Sequence, residues 1–530
     1  MKKLPVGIQT FREIIEEKYV YIDKTQFVYK VLNNAKYYFL SRPRRFGKSL
    51  FLDTIAEAFS GDKELFKGLF IYDSDYTFDK HPVIRLDMSN VANDTPEELK
   101  DSLCSVLQSQ IAKEQLCISS EQPSDLLRIL IEALYEKYGK RVVVLIDEYD
   151  KPMLDQMHDL KLADANREVV RGFYGILKSM DSFLRLTFIT GVSKFSKTSI
   201  LSGLNNLLDI TMFEEYADIC GIPPNELEKS FSEHIDNISA QRGFKNSQQL
   251  YDDIIEWYDG YSWDGVSRLI NPFSLLCFFE RKRIYSFWYA SGTPTFLIKL
   301  LKENPLSYME LNELEIDESS LDMMDIKNID TASLLFQTGY LTVANIVYDP
   351  PPPLYRLRTP NLEVREAFNL QVISEFTEND YKVAATAYRK IRDCLNTGDL
   401  QAMLGILRRL FSSIPYQLHV NSEAYYHSIF YAVMTVLGFD INAEVSVAGG
   451  RIDATLEKDD KVYIIEFKYK GCPVDTDAET KRGLFDSALD EGMEQIISRG
   501  YARKYESSGK KIYQAVFAFI GRDDIELRVW

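Results

Sequence analysis

The chain has 530 residues and a formal net charge of −17. That length supports roughly two to four domains, each able to bury its own core, and the apolar, aromatic and charged fractions are those of a globular protein. A protein that simply coats nucleic acid should be basic, so a nucleic-acid role here has to rest on local patches or on metal ions that neutralise phosphate. Met1-Lys2-Lys3-Leu4-Pro5 leads into a polar segment rather than an apolar signal core. No apolar run approaches the ~20 residues that cross a bilayer, so no membrane partner is expected. Cys104, Cys117, Cys220, Cys277, Cys394 and Cys472 form no C-x-x-C pair. Neither a disulfide framework nor a zinc site is suggested, and a cytoplasmic location is expected.

Residues 10–18 read as a short helix, followed by Tyr21-Ile22-Asp23-Lys24-Thr25 and a helix over about 25–34. An apolar strand, Lys36-Tyr37-Tyr38-Phe39-Leu40, then runs into Ser41-Arg42-Pro43-Arg44-Arg45-Phe46-Gly47-Lys48-Ser49, and a helix pattern runs out over 50–59. Strand, loop and helix in that order form the context of a phosphate-binding loop. A turn at Gly47 can aim successive N–H groups at a phosphate, and the helix start adds its positive dipole end. Arg45, Phe46, Gly47, Lys48 and Ser49 are the candidate nucleotide contacts, with Lys48 for the β- and γ-phosphates and Ser49 for Mg²⁺. The first glycine of the usual G-x-x-x-x-G-K-[ST] pattern falls on Arg42. Arg42, Arg44 and Arg45 either add charge around a triphosphate or form a solvated turn.

Strand and helix then alternate. Residues 83–87 read as a strand, and 96–113 as a helix with Leu99, Leu103, Val106, Leu107 and Ile111 on one face. A further helix at 124–138 carries Leu127, Leu130, Ile131 and Leu134. Val142 to Ile146 is an unbroken apolar run, the mark of a strand buried on both faces in a parallel sheet. Asp147 and Glu148 follow at its C-terminal end, where ligands bind in open α/β sheets. Asp147 is placed to hold Mg²⁺, and Glu148 to polarise an attacking water. The strand 184–191 offers Thr190 as a further contact that would orient the water.

Arg42 to Ser49, Asp147-Glu148-Tyr149-Asp150-Lys151-Pro152 and Tyr21 to Thr25 together resemble the bacterial AAA-ATPase-like family, related to AAA+ and STAND-type ATPases. The resemblance spans roughly 4–290. It implies ATP and Mg²⁺ as cofactors, nucleotide binding by Lys48 and Ser49, metal binding by Asp147 and hydrolysis through Glu148. Arginine in place of the first loop glycine is usual in that family. Rings are frequent among AAA+ relatives, so a homo-oligomer is implied. Arg185 and Lys194 are candidates for an arginine-finger role.

Helix patterns dominate 222–345, at 224–241, 247–257, 272–285 and 294–303, and resemble the helical lid that follows an AAA+ core. Trp257 to Trp263 is aromatic and glycine-punctuated, and is expected to pack against the ATPase. A helix and a strand of winged-helix-like character are expected over 334–348. Asp349-Pro350-Pro351-Pro352-Pro353 reads as a stiff interdomain connector, with a β-hairpin loop as the alternative. Helices at 361–376, 379–395 and 398–411 read as a spacer bundle.

The C-terminal region opens with a helix from Ser422, carrying Glu423 and His427. A strand follows over 449–456 with Asp453, then a turn at Lys458-Asp459-Asp460 and a paired strand over 461–469. Glu466 and Lys468 are two apart on that strand and share a face. A carboxylate and a lysine beside an aspartate from the next strand can assemble a metal-dependent phosphodiesterase site. Asp453, Glu466 and the Phe467 carbonyl would hold Mg²⁺ and Lys468 would position the water. Residues 420–521 resemble a PD-(D/E)xK nuclease domain. Glu423 matches that superfamily's helical acidic residue, and Gln495 and Tyr501 match an additional motif. This domain has more acidic than basic residues, although Lys470, Lys481, Arg482, Arg499, Arg503 and Lys504 are candidates for one basic patch.

The expected architecture is α/β: a P-loop ATPase domain over 1–220, a helical lid and winged-helix-like region over 221–349, a linker and helical spacer over 350–415 and a nuclease-like domain over 416–530. The expected function is nucleotide-controlled, Mg²⁺-dependent cleavage of nucleic acid, DNA before RNA. A STAND-like switch, whose C-terminal fold is an inactive module that binds a partner or nucleic acid, is the alternative.

Overall fold

A computed structural model describes the chain except residues 195–203, 205, 243–245, 289–313, 323–329, 377–380, 412–433, 435–439, 445–450, 459, 474–475 and 522–523. The described residues fall into two compact units, 1–288 with 314–364, and 365–530.

In the first unit, α1 (Phe11–Glu16) and α2 (Thr25–Asn33) lead to β1 (Tyr37–Ser41) and α3 (Lys48–Ala58). Then come β2 (Val83–Asp87), α4 (Pro96–Lys113), α5 (Pro123–Tyr138), β3 (Val142–Asp147), α6 (Lys151–Leu154), α7 (Leu160–Ser179), β4 (Leu184–Gly191) and β5 (Leu208–Asp209). The helices start where the sequence signals it: Thr95 Oγ1 accepts from the Glu98 N–H at 3.1 Å, with Pro96 in the first turn. Leu99, Leu103, Leu107 and Ile111 of α4 are buried.

The five strands pair in parallel in the order β2-β3-β4-β1-β5. From β1 the chain crosses to β2 at the far edge and returns through β3 and β4. This puts a topological switch point at the C-terminal end of β1, where open α/β sheets bind ligands. Ser41 pairs with Gly191, Leu40 with Thr190 and Ile146 with Ile189, so the ends of β1, β3 and β4 are level.

Three helices follow: α8 (Pro224–Arg242), α9 (Ser247–Tyr258) and α10 (Pro272–Arg281). They share a core that includes Leu227, Phe231, Ile235, Ile254, Tyr258 and Phe278. The helix expected over 272–285 stops at Arg281, because Lys282 turns left-handed at φ 52°; the one expected at 294–303 lies outside the described residues. Strand β6 (Glu315–Asp317), α11 (Glu318–Asp322), α12 (Thr331–Thr338), β7 (Thr342–Val347) and β8 (Leu354–Arg358) complete the unit. The three strands form an antiparallel sheet in the order β6-β8-β7. Val347 pairs with Leu354, so the proline run joins two strands of one hairpin within the unit and is not an interdomain connector.

Helix α13 (Leu362–Phe376) begins in the first unit and continues into the second. There α14 (Tyr381–Thr397) and α15 (Leu400–Phe411) precede β9 (Asp440–Glu444), β10 (Arg451–Lys458), β11 (Lys461–Lys470), α16 (Ala478–Arg499), β12 (Lys511–Ile520) and β13 (Asp524–Val529). The sheet order is β13-β12-β11-β10-β9, with β11 and β12 parallel across the α16 crossover and the other pairs antiparallel. Val462 and Ile464 pack with Phe485, Leu489 and Met493 of α16 on one face. On the other face the Tyr463 hydroxyl bonds to the Leu395 carbonyl, and Arg408 Nε donates to the Ile525 carbonyl at 2.9 Å. Two of the three helices expected as a spacer bundle, α14 and α15, are therefore tied to this sheet.

Candidate nucleotide and nuclease sites

The loop between β1 and α3 adopts the backbone that its glycine permits. Gly47 has φ 100°, and Arg45 is also left-handed at φ 64°, an uncommon conformation for a side-chain-bearing residue that clusters at functional sites. Lys48 is buried at the start of α3, and its ammonium donates to the carbonyls of Arg42 (2.8 Å) and Pro43 (2.9 Å). Burial pulls its pKa down. Ser49 is half-buried beside it.

The three arginines of the loop separate into different roles. Arg42 is fully buried and donates to the carbonyls of Ser41, Thr211, Tyr216 and Ala217, with its guanidinium 3.9 Å above the Trp263 ring. It is a structural strut and adds no charge around a triphosphate. Arg45 is exposed, 5.1 Å from the Phe273 ring. Arg44 is half-buried, and its positive charge opposes the burial that raises the Glu148 pKa. Phe46, expected as a nucleotide contact, turns its ring into the core against Tyr261 and Trp263, which leaves only its main chain for a phosphate.

Asp147 ends β3. Its Oδ1 accepts from the Thr190 hydroxyl at 2.5 Å and from the Glu148 N–H at 3.0 Å. Thr190 is fully buried, so its hydroxyl orients the Asp147 carboxylate and does not reach out to a water as expected. Glu148 is left-handed at φ 52°. Burial raises its pKa, opposed by the positive charge of Lys48. Asp150 is buried and takes hydrogen bonds from Val192 N, Ser193 N and Ser193 Oγ, pinning the chain just after β4. Lys48, Ser49 and Asp147 thus offer a cation, a hydroxyl and a carboxylate at the strand ends, a donor set that fits a nucleotide with Mg²⁺.

Neither finger candidate suits that role. Lys194 is nearly buried in an ion pair with Asp209. Arg185 lies at the opposite end of β4 from the loop, bonded to the Leu32 carbonyl.

An apolar cleft opens beside Gly47. Leu50 and Thr54 of α3 form one wall, Tyr21 and Ile22 another, and Ile219 to Ile222 a third. The Tyr21 to Thr25 segment is held by Asp23, whose Oδ1 accepts from Thr25 N (2.9 Å) and Thr25 Oγ1 (2.6 Å) and whose Oδ2 accepts from Phe70 N (2.7 Å).

In the second unit Glu466 is fully buried on β11. Lys468 Nζ lies 2.8 Å from Glu466 Oε1 and donates to Gln495 Oε1 at 2.5 Å. The parity of Val462 and Ile464 explains this: Glu466 and Lys468 continue the face that α16 covers, and Gln495 stands on α16. Asp453 is directly opposite Glu466 in the β10–β11 register. A buried carboxylate beside a lysine, opposite an aspartate position, fits a hard cation with oxygen ligands. No cluster of three metal-ligating side chains occurs among the described residues, but Glu423 and His427 lie outside them and the Asp453 side chain is not described. Three of the six cations of the expected basic patch are ion-paired: Lys470 with Glu491, Lys481 with Asp524 and Arg482 with Glu526.

Comparison with known proteins finds a counterpart for the domain that holds each site. A family model described as predicted AAA-ATPase matches residues 5–201, and one for the PD-(D/E)XK nuclease superfamily matches 421–527. An "uncharacterized protein in vnfD 5'region" of Azotobacter chroococcum mcd 1 is 35% identical over 520 residues, 97% of this chain and 95% of that one. The chain belongs to the AAA-ATPase-like family. It carries a PD-(D/E)XK nuclease-superfamily domain at its C-terminal end. A solved structure, the Aeropyrum pernix ORC2 protein in ADPNP and ADP complexes, covers 65% of this chain and 93% of its own at 15% identity, with a TM-score of 0.25. Among the described residues no helix is long and apolar enough to cross a membrane.

Several residues around the loop of this AAA-ATPase-like chain escaped the sequence reading. Trp288 Nε1 donates to the Arg44 carbonyl at 3.0 Å, and Trp288 N to Glu363 Oε1 at 2.8 Å. The same oxygen accepts from Ser274 Oγ at 3.0 Å. Glu363 is fully buried, and its Oε2 has no hydrogen-bond partner among the described residues. Burial pushes its pKa from 4.5 to about 7. The unfolded chain therefore ionises this group first, so the stability held by the neutral carboxyl is complete below about pH 4.5 and is lost as pH rises through about 7. We expect the wild type to lose about 3 kcal/mol across that window relative to Glu363→Gln. Urea unfolding of both proteins at pH 5 and pH 8 checks this; parallel curves would refute it.

Proposed function

We propose that ATP bound at the β1–α3 loop controls Mg²⁺-dependent cleavage of nucleic acid by the C-terminal domain. Lys48 and Ser49 hold the phosphates and their metal, Asp147 completes the metal site, and Glu148 polarises the attacking water. The apolar cleft beside Gly47 accepts the base. In the second unit Asp453 and Glu466 hold Mg²⁺, and Lys468, oriented by Gln495, positions the water. The observation that carries this reading is the buried Glu466–Lys468–Gln495 arrangement on the same chain as a loop whose lysine is already buried at a helix start.

The test is incubation of the purified chain with Mg²⁺, ATP and mixed DNA and RNA substrates, beside Lys48→Ala and Glu466→Ala. Cleavage is expected in the wild type, lost in Glu466→Ala and altered in Lys48→Ala. The ion-paired α16 face favours a second reading, a nucleotide switch whose C-terminal domain only binds. ATP hydrolysis with every substrate left intact would select it.

A further inference from the structure

Three consecutive residues of the phosphate loop are gripped by the segment 261–363. The Arg42 guanidinium lies on Trp263. Pro43 abuts Gly339, where an added Cβ would come within 2.7 Å of Pro43 Cβ. The Arg44 carbonyl accepts from Trp288 Nε1. Lys48 holds the same stretch from the other side through the Arg42 and Pro43 carbonyls. An ammonium has three N–H donors and two of them are on these carbonyls, so a lysine that meets both the β- and γ-phosphates releases at least one carbonyl, and the Arg42–Arg44 backbone gains freedom to shift.

One hydrogen-bonded route outward from Arg44 runs through Trp288. Trp288 carries the Arg44 carbonyl on its indole and Glu363 on its main-chain N–H. Glu363 stands in the first turn of α13, the helix in which the chain passes from the first unit to the second. Ser286 Oγ also reaches the Glu363 carbonyl at 3.4 Å, and Asn361 Oδ1 accepts from Val364 N at 3.1 Å. The residue that bonds the phosphate loop is thus one of those that hold the start of α13.

We infer that Trp288 and Glu363 are positioning residues that couple nucleotide occupancy at Lys48 to the first turn of α13. This rests on the nucleotide reading above and supplies its regulation: exchange of Lys48 from carbonyls to phosphate changes the hold on Arg44, Trp288 follows, and the anchorage of α13 changes with it. Both ends bias one element, as coupling between sites requires.

Hydrogen–deuterium exchange of the full chain, with and without Mg²⁺ and a non-hydrolysable ATP analogue, reads this directly. Nucleotide binding is measured first, with a fluorescent ADP analogue. In the wild type, exchange over 361–370 is expected to change on nucleotide binding. Trp288→Phe keeps an aromatic ring but removes the indole N–H; it should still bind nucleotide and lose that change. Glu363→Ala should lose it too, whereas Glu363→Gln, which keeps an acceptor for Trp288 N, should restore it. Wild-type protein that binds nucleotide with no change at 361–370, or Trp288→Phe that retains the change, overturns the coupling alone. Wild-type protein that binds no nucleotide overturns the nucleotide reading and the coupling with it.

Discussion

Glu148→Gln is expected to lower steady-state ATP hydrolysis by about 10²- to 10⁴-fold, the usual loss when a positioned general base is removed, while nucleotide still binds. The side chain sits one residue beyond Asp147, on a left-handed backbone that turns the chain away from the strand. Asp147 is oriented by Thr190 and by the Glu148 N–H, so the two carboxylates have separate duties. Glutamine preserves the size of Glu148 and removes only its ability to take a proton. Burial raises the Glu148 pKa, with Asp147 and Asp150 adding to the rise and Lys48 and Arg44 opposing it. Hydrolysis needs the ionised form, so the wild-type rate should fall as the solution is acidified, starting above the ordinary glutamate range. Phosphate release and a fluorescent-nucleotide titration on both proteins check this. Equal turnover in Glu148→Gln would remove Glu148 from the mechanism.

What was legible in the sequence was local. The β1–loop–α3 unit, the buried run of β3 with its acidic end, and the β10–β11 hairpin are each written in one short run of consecutive residues, where periodicity and turn chemistry decide. What stayed hidden depends on partners distant in the chain. The role of Arg42 is set by carbonyls at Thr211, Tyr216 and Ala217, and composition cannot distinguish a buried strut from a phosphate ligand. Phe46 reads as a loop residue until Tyr261 and Trp263 cover it. The hydroxyl of Thr190 is captured by a carboxylate on the neighbouring strand. The proline run reads as a connector because its flanking strands, β7 and β8, are short and their pairing is not visible in either alone. The supposed spacer is tied down through Leu395 and Arg408, whose partners lie on strands far along the chain. Lys470 of β11 and Lys481 and Arg482 of α16 look like a patch until the carboxylates of Glu491, Asp524 and Glu526 are brought beside them.

Arg42 gives the sharpest contrast between the common loop pattern and this one. Substituting glycine there restores the usual first residue of the pattern, yet we expect Arg42→Gly to destabilise the first unit by about 4 kcal/mol or more. The backbone at 42 is not among the left-handed positions, so glycine's conformational freedom is not needed. Removing the side chain strips a donor from the carbonyls of Ser41, Thr211, Tyr216 and Ala217, of which Tyr216 keeps the Ile219 N–H. Each acceptor left buried and unpaired costs about 1–3 kcal/mol, moderated where water enters. The Trp263 ring also loses the guanidinium stacked on it, and the volume of a fully buried arginine is left empty. Arg42→Lys should fall between the two, because one ammonium cannot serve four acceptors in a plane or lie flat on an indole. Because Arg42 also fixes the strand end from which the loop springs, nucleotide affinity should fall in the same order as stability. Urea unfolding followed by tryptophan emission, alongside nucleotide titration, measures both. A glycine variant as stable as the wild type would mean that the four carbonyls are satisfied without the guanidinium, and that Arg42 belongs after all to the nucleotide.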